Sequence, residues 1–476
     1  MDTQFSFKHI LKDISWYMIG AVIPVLIGLA KSPIFTRYFT PEEYGYYSLA
    51  FVTFNYLSIG LYYWLTTCIF RYYLNYKKQN DLSKFYSTIT LLYIASTVII
   101  AITGLSLYYF TENHTMSVLF GLAAIHIIVA QLSSMILTII KINGKAKAYN
   151  IIFSLKTLIA FLILCSLTFI FNFRIEALFI NLIISEILLV TGLFIYFNTK
   201  IRTYILFKKM SFRHAKPFFI YGSAGLIISF CMIFINSSDR YIIALFYDIK
   251  IVGIYNQVFN LGLISLGALT TVYQNAINPE MIKQLEHNIS NYFLSAKQFI
   301  SQYIILILPV AVIFSLFAKE FAFVLLGEEF RVGYYILPWV FFSKFIEGAT
   351  VLNNAKYKFE NKLTFLVIVY ISVALLNIGL NFILIPRFGY HYAVITTLIS
   401  YLLLFFIVLR KDVYKLFTKD QITLLKPFII LLAIFVLIDK GGEHIFGRDF
   451  TFVETTIEGM IFLAAYALLY FKFANK

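Results

Sequence analysis

Residues 85–109, FYSTITLLYIASTVIIAITGLSLYY, and residues 116–141, MSVLFGLAAIHIIVAQLSSMILTIIK, are two almost uninterrupted apolar runs separated by the hexapeptide FTENHT. At 1.5 Å rise per residue, a helix of about 25 residues is roughly 37 Å long, enough to cross the ~30 Å hydrocarbon layer of a bilayer. Neither run shows the period-two alternation of a barrel strand, and hydrocarbon leaves no other way to satisfy backbone amides, so both read as transmembrane helices. The junction between them carries a single charge, Glu112, whereas the next one carries Lys141, Lys145 and Lys147.

That alternation continues in both directions. Spans are predicted near 14–37, 44–66, 85–109, 116–141, 149–171, 175–197, 217–235, 251–273, 299–318, 333–355, 363–385, 389–409, 424–438 and 453–472, which makes an all-α polytopic membrane protein of about 14 transmembrane helices, with 12 as the alternative count. Composition agrees: 60% of the 476 residues are hydrophobic and 13% charged, with a mean hydropathy of +0.81. The net charge of +15 would suggest nucleic acid in a soluble protein. Here the cations gather in alternate junctions, where anionic lipid headgroups attract them, so membrane lipids are the expected partner and nucleic acid is not. About 27 of the 39 lysines and arginines fall on one side, among them Arg71, Lys77, Lys78, Lys200, Arg202, Lys356 and Lys411, against about 9 opposite. Both termini are therefore expected in the cytoplasm. Cys68, Cys165 and Cys231 all sit inside apolar stretches and read as packing. Trp16, Trp64 and Trp339 lie near span ends, where interface anchors are expected.

The chain also repeats. Arg37-Tyr38 followed by Tyr44-Gly45-Tyr46-Tyr47 after the first span is echoed by Arg240-Tyr241 followed by Val252-Gly253-Ile254-Tyr255 after the seventh. Six helices therefore recur as six: residues 1–205 form an N-terminal lobe, 206–216 a basic cytoplasmic linker, 217–410 a second lobe, and 411–476 two additional helices. Parallel repeats of this kind are common in transporters that work around a central cavity.

The sequence offers little for catalysis. It has no phosphate-cradling glycine loop, nucleophile elbow, HExxH or paired-Cys metal site, and the external junctions are short, so an enzyme is the weaker reading and no cofactor is expected. What stands out instead is charge within spans, where each ionised group near the bilayer centre costs roughly 2.5–3.5 kcal/mol on insertion scales and so faces a bundle interior or a wet cavity. Lys31, Lys156, Glu186, Lys344 and Glu347 qualify, with His126 as a titratable addition. Lys344 and Glu347, three apart on one helical face, either neutralise each other or line a cavity. Lys156 and Glu186, on neighbouring spans, either pair or do the same. His126 reads as a hydrogen-bonded core histidine or a proton carrier, and Lys31 as a cavity cation or one snorkelling outward. Pro24 and Pro33 in span 1, Pro309 in span 9 and Pro338 in span 10 are expected to bend their helices.

Four stretches, taken in order, resemble the bacterial polysaccharide flippases, the Wzx-type branch of the multidrug/oligosaccharidyl-lipid/polysaccharide exporter (MOP) superfamily. They are Arg37-Tyr38-Phe39-Thr40-Pro41-Glu42-Glu43-Tyr44-Gly45-Tyr46-Tyr47, Ser237-Ser238-Asp239-Arg240-Tyr241 with Val252-Gly253-Ile254-Tyr255, Leu326-Gly327-Glu328-Glu329-Phe330, and the run from Asn377 through Asn381 and Pro386 to Gly389. The resemblance implies two six-helix lobes around a V-shaped cavity in the bacterial cytoplasmic membrane. It also implies movement of an undecaprenyl-pyrophosphate-linked oligosaccharide by alternating access, alongside a polysaccharide polymerase and a chain-length regulator. In that frame Lys31, Arg37, Lys156, Arg240 and Lys344 are the expected contacts for pyrophosphate and sugar. His126, Glu186, Asp239 and Glu347 are candidates for sodium or proton coupling, or for ion pairs. A drug or cation antiporter of the same superfamily, and a membrane-embedded polymerase or ligase, are the competing readings; the first would favour an anionic cavity.

Overall fold

The computed structural model describes residues 22–197, 216–275, 277, 289–359, 362–409 and 461, and every regular element among them is helical. Twelve of the fourteen predicted spans fall on described residues and each is a helix; the last two, 424–438 and 453–472, lie outside them, as do most of the 206–216 linker and all of the chain before Val22. The helices are α1 (Val22–Phe35), α2 (Pro41–Ser58 and Trp64–Lys78, joined by a π turn at Ile59–Tyr63), α3 (Leu82–Phe110), α4 (His114–Ile142), α5 (Ala146–Phe169) and α6 (Ala177–Phe197). The second series is α7 (Lys216–Phe246), α8 (Ile249–Asn275, with a π turn at Leu263–Gly267), α9 (Ile289–Leu316), α10 (Leu337–Phe359), α11 (Leu363–Phe388) and α12 (Tyr392–Leu409). Ten of these are long and apolar enough to cross a membrane, and α1 is a shorter apolar helix as far as it is described.

Local chemistry sets the boundaries. Asp81 and Asn113 cap α3 and α4 by accepting from the backbone N–H of Lys84 and Met116. The Thr40-Pro41-Glu42-Glu43 run opens α2 as a capping box: Glu43 N–H donates to the Thr40 hydroxyl at 3.3 Å, Thr40 N–H donates to the Glu43 carboxylate at 2.8 Å, and Pro41 stands where no intrahelical donor is needed. Gly389, at φ 107°, ends α11 in a conformation that a Cβ would strain.

The two halves repeat in packing as in sequence. In the first, α3 lies on α4, α4 on α6 and α5 on α6; in the second, α9 lies on α10, α10 on α12 and α11 on α12. The halves meet where α2 packs along α8, and there the repeated glycines find their reason. A Cβ on Gly45 would lie 2.1 Å from the Ile249 carbonyl oxygen, and one on Gly253 only 1.8 Å from that of Pro41. Two helices approach backbone to backbone because neither carries a side chain at the crossing. Next to it, the short helix Ala318–Leu325 docks on the end of α1: the Ser32 hydroxyl donates to the Leu325 carbonyl at 2.8 Å, and Gly327 N–H donates to the Thr36 hydroxyl at 2.7 Å. At the other, lysine-rich end of the bundle the second half of α2 seals against α7. Cys68 donates to the Phe218 carbonyl at 3.1 Å, Tyr72 to that of Pro217 at 3.3 Å, and Gly222 leaves room for Trp64.

Two expectations are corrected here. Trp64 is 8% exposed and packs edge-on against Phe219 of α7; it closes the joint between the halves and is no headgroup anchor, because α2 continues to Lys78, about 14 residues beyond it. Pro338 does not bend a span: the helix begins at Leu337, so the proline sits in its first turn, where its missing N–H costs nothing.

The Asn377–Gly389 run is also explained. Asn377 donates to the Ser400 hydroxyl at 3.0 Å, Asn381 to the Asn377 side-chain carbonyl at 3.2 Å, and Thr397 to the Ile235 backbone carbonyl at 3.3 Å. With Thr396 donating to Asn381, this fully buried seam joins α11, α12 and α7, and hydrogen bonds between membrane helices are worth about 0.6 kcal/mol each on average.

Gly253→Ala is expected to lower stability by about 1–3 kcal/mol, since backbone must move to admit the methyl group. Gly192→Ala, with open space at its Cβ, is expected to be neutral or to stabilise by up to about 1 kcal/mol. Thermal unfolding of the two purified variants in detergent checks the contrast.

Candidate functional site

Between the joint at Gly45/Gly253 and the one at Trp64/Gly222 lies a cavity of about 520 Å³, walled by α2, α7, α8 and α10. Its lining is polar for a membrane interior: Asn55 from α2, Ser229, Asn236, Ser237 and Arg240 from α7, Asn256 and Asn260 from α8, and Lys344 and Glu347 from α10. A second part of about 280 Å³ shares Tyr47, Asn260 and Leu263 with the first and reaches into the N-terminal half, between α1, α2, α5, α6 and α8. Lys31, Ser32, Asn181 and Gln257 line it. The two parts adjoin at these shared residues and are together called the chamber.

Asn236 organises the larger part. Its side-chain carbonyl accepts from Lys344 Nζ at 2.8 Å, its amide nitrogen donates to Tyr401 Oη at 2.5 Å and to Glu347 Oε1 at 3.4 Å, and its backbone carbonyl accepts from the Arg240 guanidinium. Lys344 also reaches Glu347 Oε2 at 2.8 Å. Arg240 reaches Asp239 Oδ1 at 2.8 Å and Asn256 Oδ1 at 3.2 Å, while the Tyr255 hydroxyl donates to the other oxygen of Asp239. Both cations lie over one ring, Phe259, with the Arg240 guanidinium 4.6 Å and the Lys344 ammonium 4.8 Å from its centroid. Each is therefore neutralised by a carboxylate and fixed in place. Helical periodicity brings this about, since Asn236 and Arg240 are one turn apart on α7 and Lys344 and Glu347 one turn apart on α10.

Lys31 is different. No hydrogen bond or ion pair to it is found among the described residues, and it faces the smaller part of the chamber. On the same wall the Asn181 side-chain oxygen is buried without a partner there, although its nitrogen donates to the Ala177 and Leu178 carbonyls at 2.7 Å each.

The remaining expected contacts stand elsewhere. Arg37 is exposed at the end of α1, donating to the Pro33 carbonyl at 2.6 Å and the Val324 carbonyl at 3.2 Å, and so ties the halves together outside the chamber. Lys156 is paired with Glu186 inside the N-terminal lobe; Glu186 accepts a second bond from Ser133 at 2.6 Å, and Lys156 faces a separate, apolar cleft between α5 and α6. His126 is buried between α4 and α6, its ring 6.1 Å from that of Phe179 and its Nδ1 without a partner among the described residues. The structure brings Arg240, Asp239, Lys344 and Glu347 together, puts Lys31 in the adjoining part, and keeps Arg37, Lys156, Glu186 and His126 away from it.

A profile described as "Polysaccharide biosynthesis protein" matches residues 34–333. The chain belongs to that family. It has the fold of the MOP superfamily: a structure titled "Lipid II flippase MurJ, inward closed conformation" superposes with a TM-score of 0.70 at 15% identity, covering 97% of this chain and 99% of the other. A multidrug resistance MATE family transporter of the MOP superfamily in an outward-facing conformation gives 0.57 at 16% identity, over 86% and 95% of the two chains. A further MOP superfamily transporter, from Pyrococcus furiosus, gives 0.55 at 15%, over 86% and 96%. A comparison with curated proteins finds no match. The polysaccharide family member is thus a multi-pass membrane protein with a transporter fold.

Removing one member of the buried Arg240–Asp239 pair leaves an uncompensated charge. Asp239→Asn is expected to destabilise the protein by about 3–5 kcal/mol, and Asp239→Leu combined with Arg240→Met to recover most of that loss. Unfolding midpoints of the single and double variants measure the difference.

Proposed function

We propose that the protein is a flippase that carries an undecaprenyl-pyrophosphate-linked oligosaccharide across the bacterial cytoplasmic membrane, as a step in surface polysaccharide synthesis. The observation that carries this reading is Lys31, a cation without a partner among the described residues, in a polar chamber between two lobes. A pyrophosphate and sugars cannot cross hydrocarbon unaided, because each desolvated polar group loses its hydrogen bonds to water. A wet chamber with a cation unpaired among the described residues replaces those bonds, while the polyprenyl tail stays in lipid.

The family's description and the likeness to a lipid II flippase support this reading over drug export. An antiporter for cationic drugs would be served by a carboxylate left free, yet the carboxylate that lines the chamber, Glu347, is engaged by Lys344, and Asp239 behind the wall by Arg240 and Tyr255. In this reading the Lys31 part takes the anionic group, the Asn236-centred part takes the glycan, and the two joints open alternately to the two sides. Both termini lie in the cytoplasm, and a polymerase with its chain-length regulator takes the product on the far side.

A charge-assisted hydrogen bond is worth about 1.5–3 kcal/mol. Lys31→Ala is therefore expected to slow the flipping of a fluorescent undecaprenyl-pyrophosphate oligosaccharide in proteoliposomes by roughly 10- to 100-fold, with Lys31→Arg retaining most of the rate. Lys156→Met combined with Glu186→Leu, which alters the pair outside the chamber, is expected to stay near the wild-type rate. Unimpaired flipping by Lys31→Ala would refute the assignment.

A further inference from the structure

We infer that the glycan this protein accepts is uncharged, so that hexoses and N-acetylhexosamines pass and uronic or other acidic sugars are selected against. The inference rests on the flippase reading and concerns the specificity of the same chamber.

The larger part of the chamber holds two cations, and each is already paired with a carboxylate. Two of the three N–H groups of Lys344 are committed, to Asn236 and Glu347 at 2.8 Å each, and the ammonium rests on the Phe259 ring. Arg240 spends Nε on Asn256 and Nη1 on Asp239 and the Asn236 carbonyl, and lies over the same Phe259 ring. Their charges are cancelled one for one by Glu347 and Asp239. A sugar carboxylate entering here would compete with Glu347 and Asp239 for cations they already hold, and would meet their like charge at short range.

The rest of the polar lining is neutral. The side chains of Asn55, Asn256 and Asn260 and the hydroxyls of Ser229 and Ser237 present donors and acceptors without net charge. An amide offers both in one plane, which suits the adjacent hydroxyls or the acetamido group of a neutral sugar. Among the described chamber residues the unpaired charge is Lys31, in the adjoining part, so the anion for which this chamber is built enters there, as the phosphate that every lipid-linked substrate of this class carries. The glycan itself need contribute none.

The test compares two undecaprenyl-pyrophosphate oligosaccharides that differ only in one sugar, a hexose in one and the corresponding hexuronate in the other, with the full-length protein in proteoliposomes. The hexose form is expected to be flipped at least about tenfold faster at equal concentration. Glu347→Gln, which keeps the side chain's size and shape and removes the repelling charge, is expected to narrow the gap to less than about threefold. Equal or faster flipping of the hexuronate form by the wild-type protein overturns the inference while leaving the flippase reading intact. Flipping of neither substrate overturns the flippase reading, and the inference with it.

Discussion

Hydrocarbon offers no partner to an ionised side chain, and this constraint orders the interior of the protein. Each buried ion has to be met by another helix or by water. Asn236 is where that requirement is resolved for the chamber: one side chain and its backbone carbonyl bind Lys344, Glu347, Tyr401 and Arg240 together. Three helices, α7, α10 and α12, are fixed to each other through it, and Arg240 adds α8 through Asn256. Lys31 meets no such partner among the described residues, and the reading of the chamber as a place for an anion follows from that contrast.

The lobes keep the chamber by touching at two places and parting between them. At one end the contact is made by the absence of side chains, where Gly45 and Gly253 let α2 and α8 cross backbone to backbone. At the other it is made by bulk, where Trp64 fills the space over Gly222. Both α2 and α8 also carry a π turn between the two joints, Ile59–Tyr63 and Leu263–Gly267, and these turns border the chamber at Ile59 and Leu263. A π turn is a local irregularity that frequently marks a functional position in a helix.

Much of this was legible in the sequence. Hydrophobic run length alone located the twelve described helices, since nothing but a helix satisfies a backbone in lipid. Spacing three apart offered the Lys344–Glu347 pair as one of two readings, and the repeated Gly45 and Gly253 marked the crossing, although as a repeat and not as a contact. The roles within the matching stretches were not legible. Thr40, Pro41 and Glu43 shape a helix start, Arg37 binds carbonyls outside the chamber, and Asn377 and Asn381 weld helices together; a motif does not say whether its residues touch a ligand or each other. The asparagines of the chamber were passed over because a search for charge ignores neutral amides. An amide in an apolar span also demands partners, and Asn55, Asn236, Asn256 and Asn260 could have been found on that ground, though which of them face one space depends on how two halves of the chain are laid together.

The account depends on Lys31 standing in water between the lobes. The most direct test is the accessibility of that position: Lys31→Cys in a background lacking Cys68, Cys165 and Cys231, treated in proteoliposomes with a membrane-impermeant cationic thiol reagent. The account predicts modification from the aqueous phase and protection by an undecaprenyl-pyrophosphate oligosaccharide. A cysteine there that no water-borne reagent reaches, or that reacts at the same rate with and without the lipid-linked sugar, would contradict it.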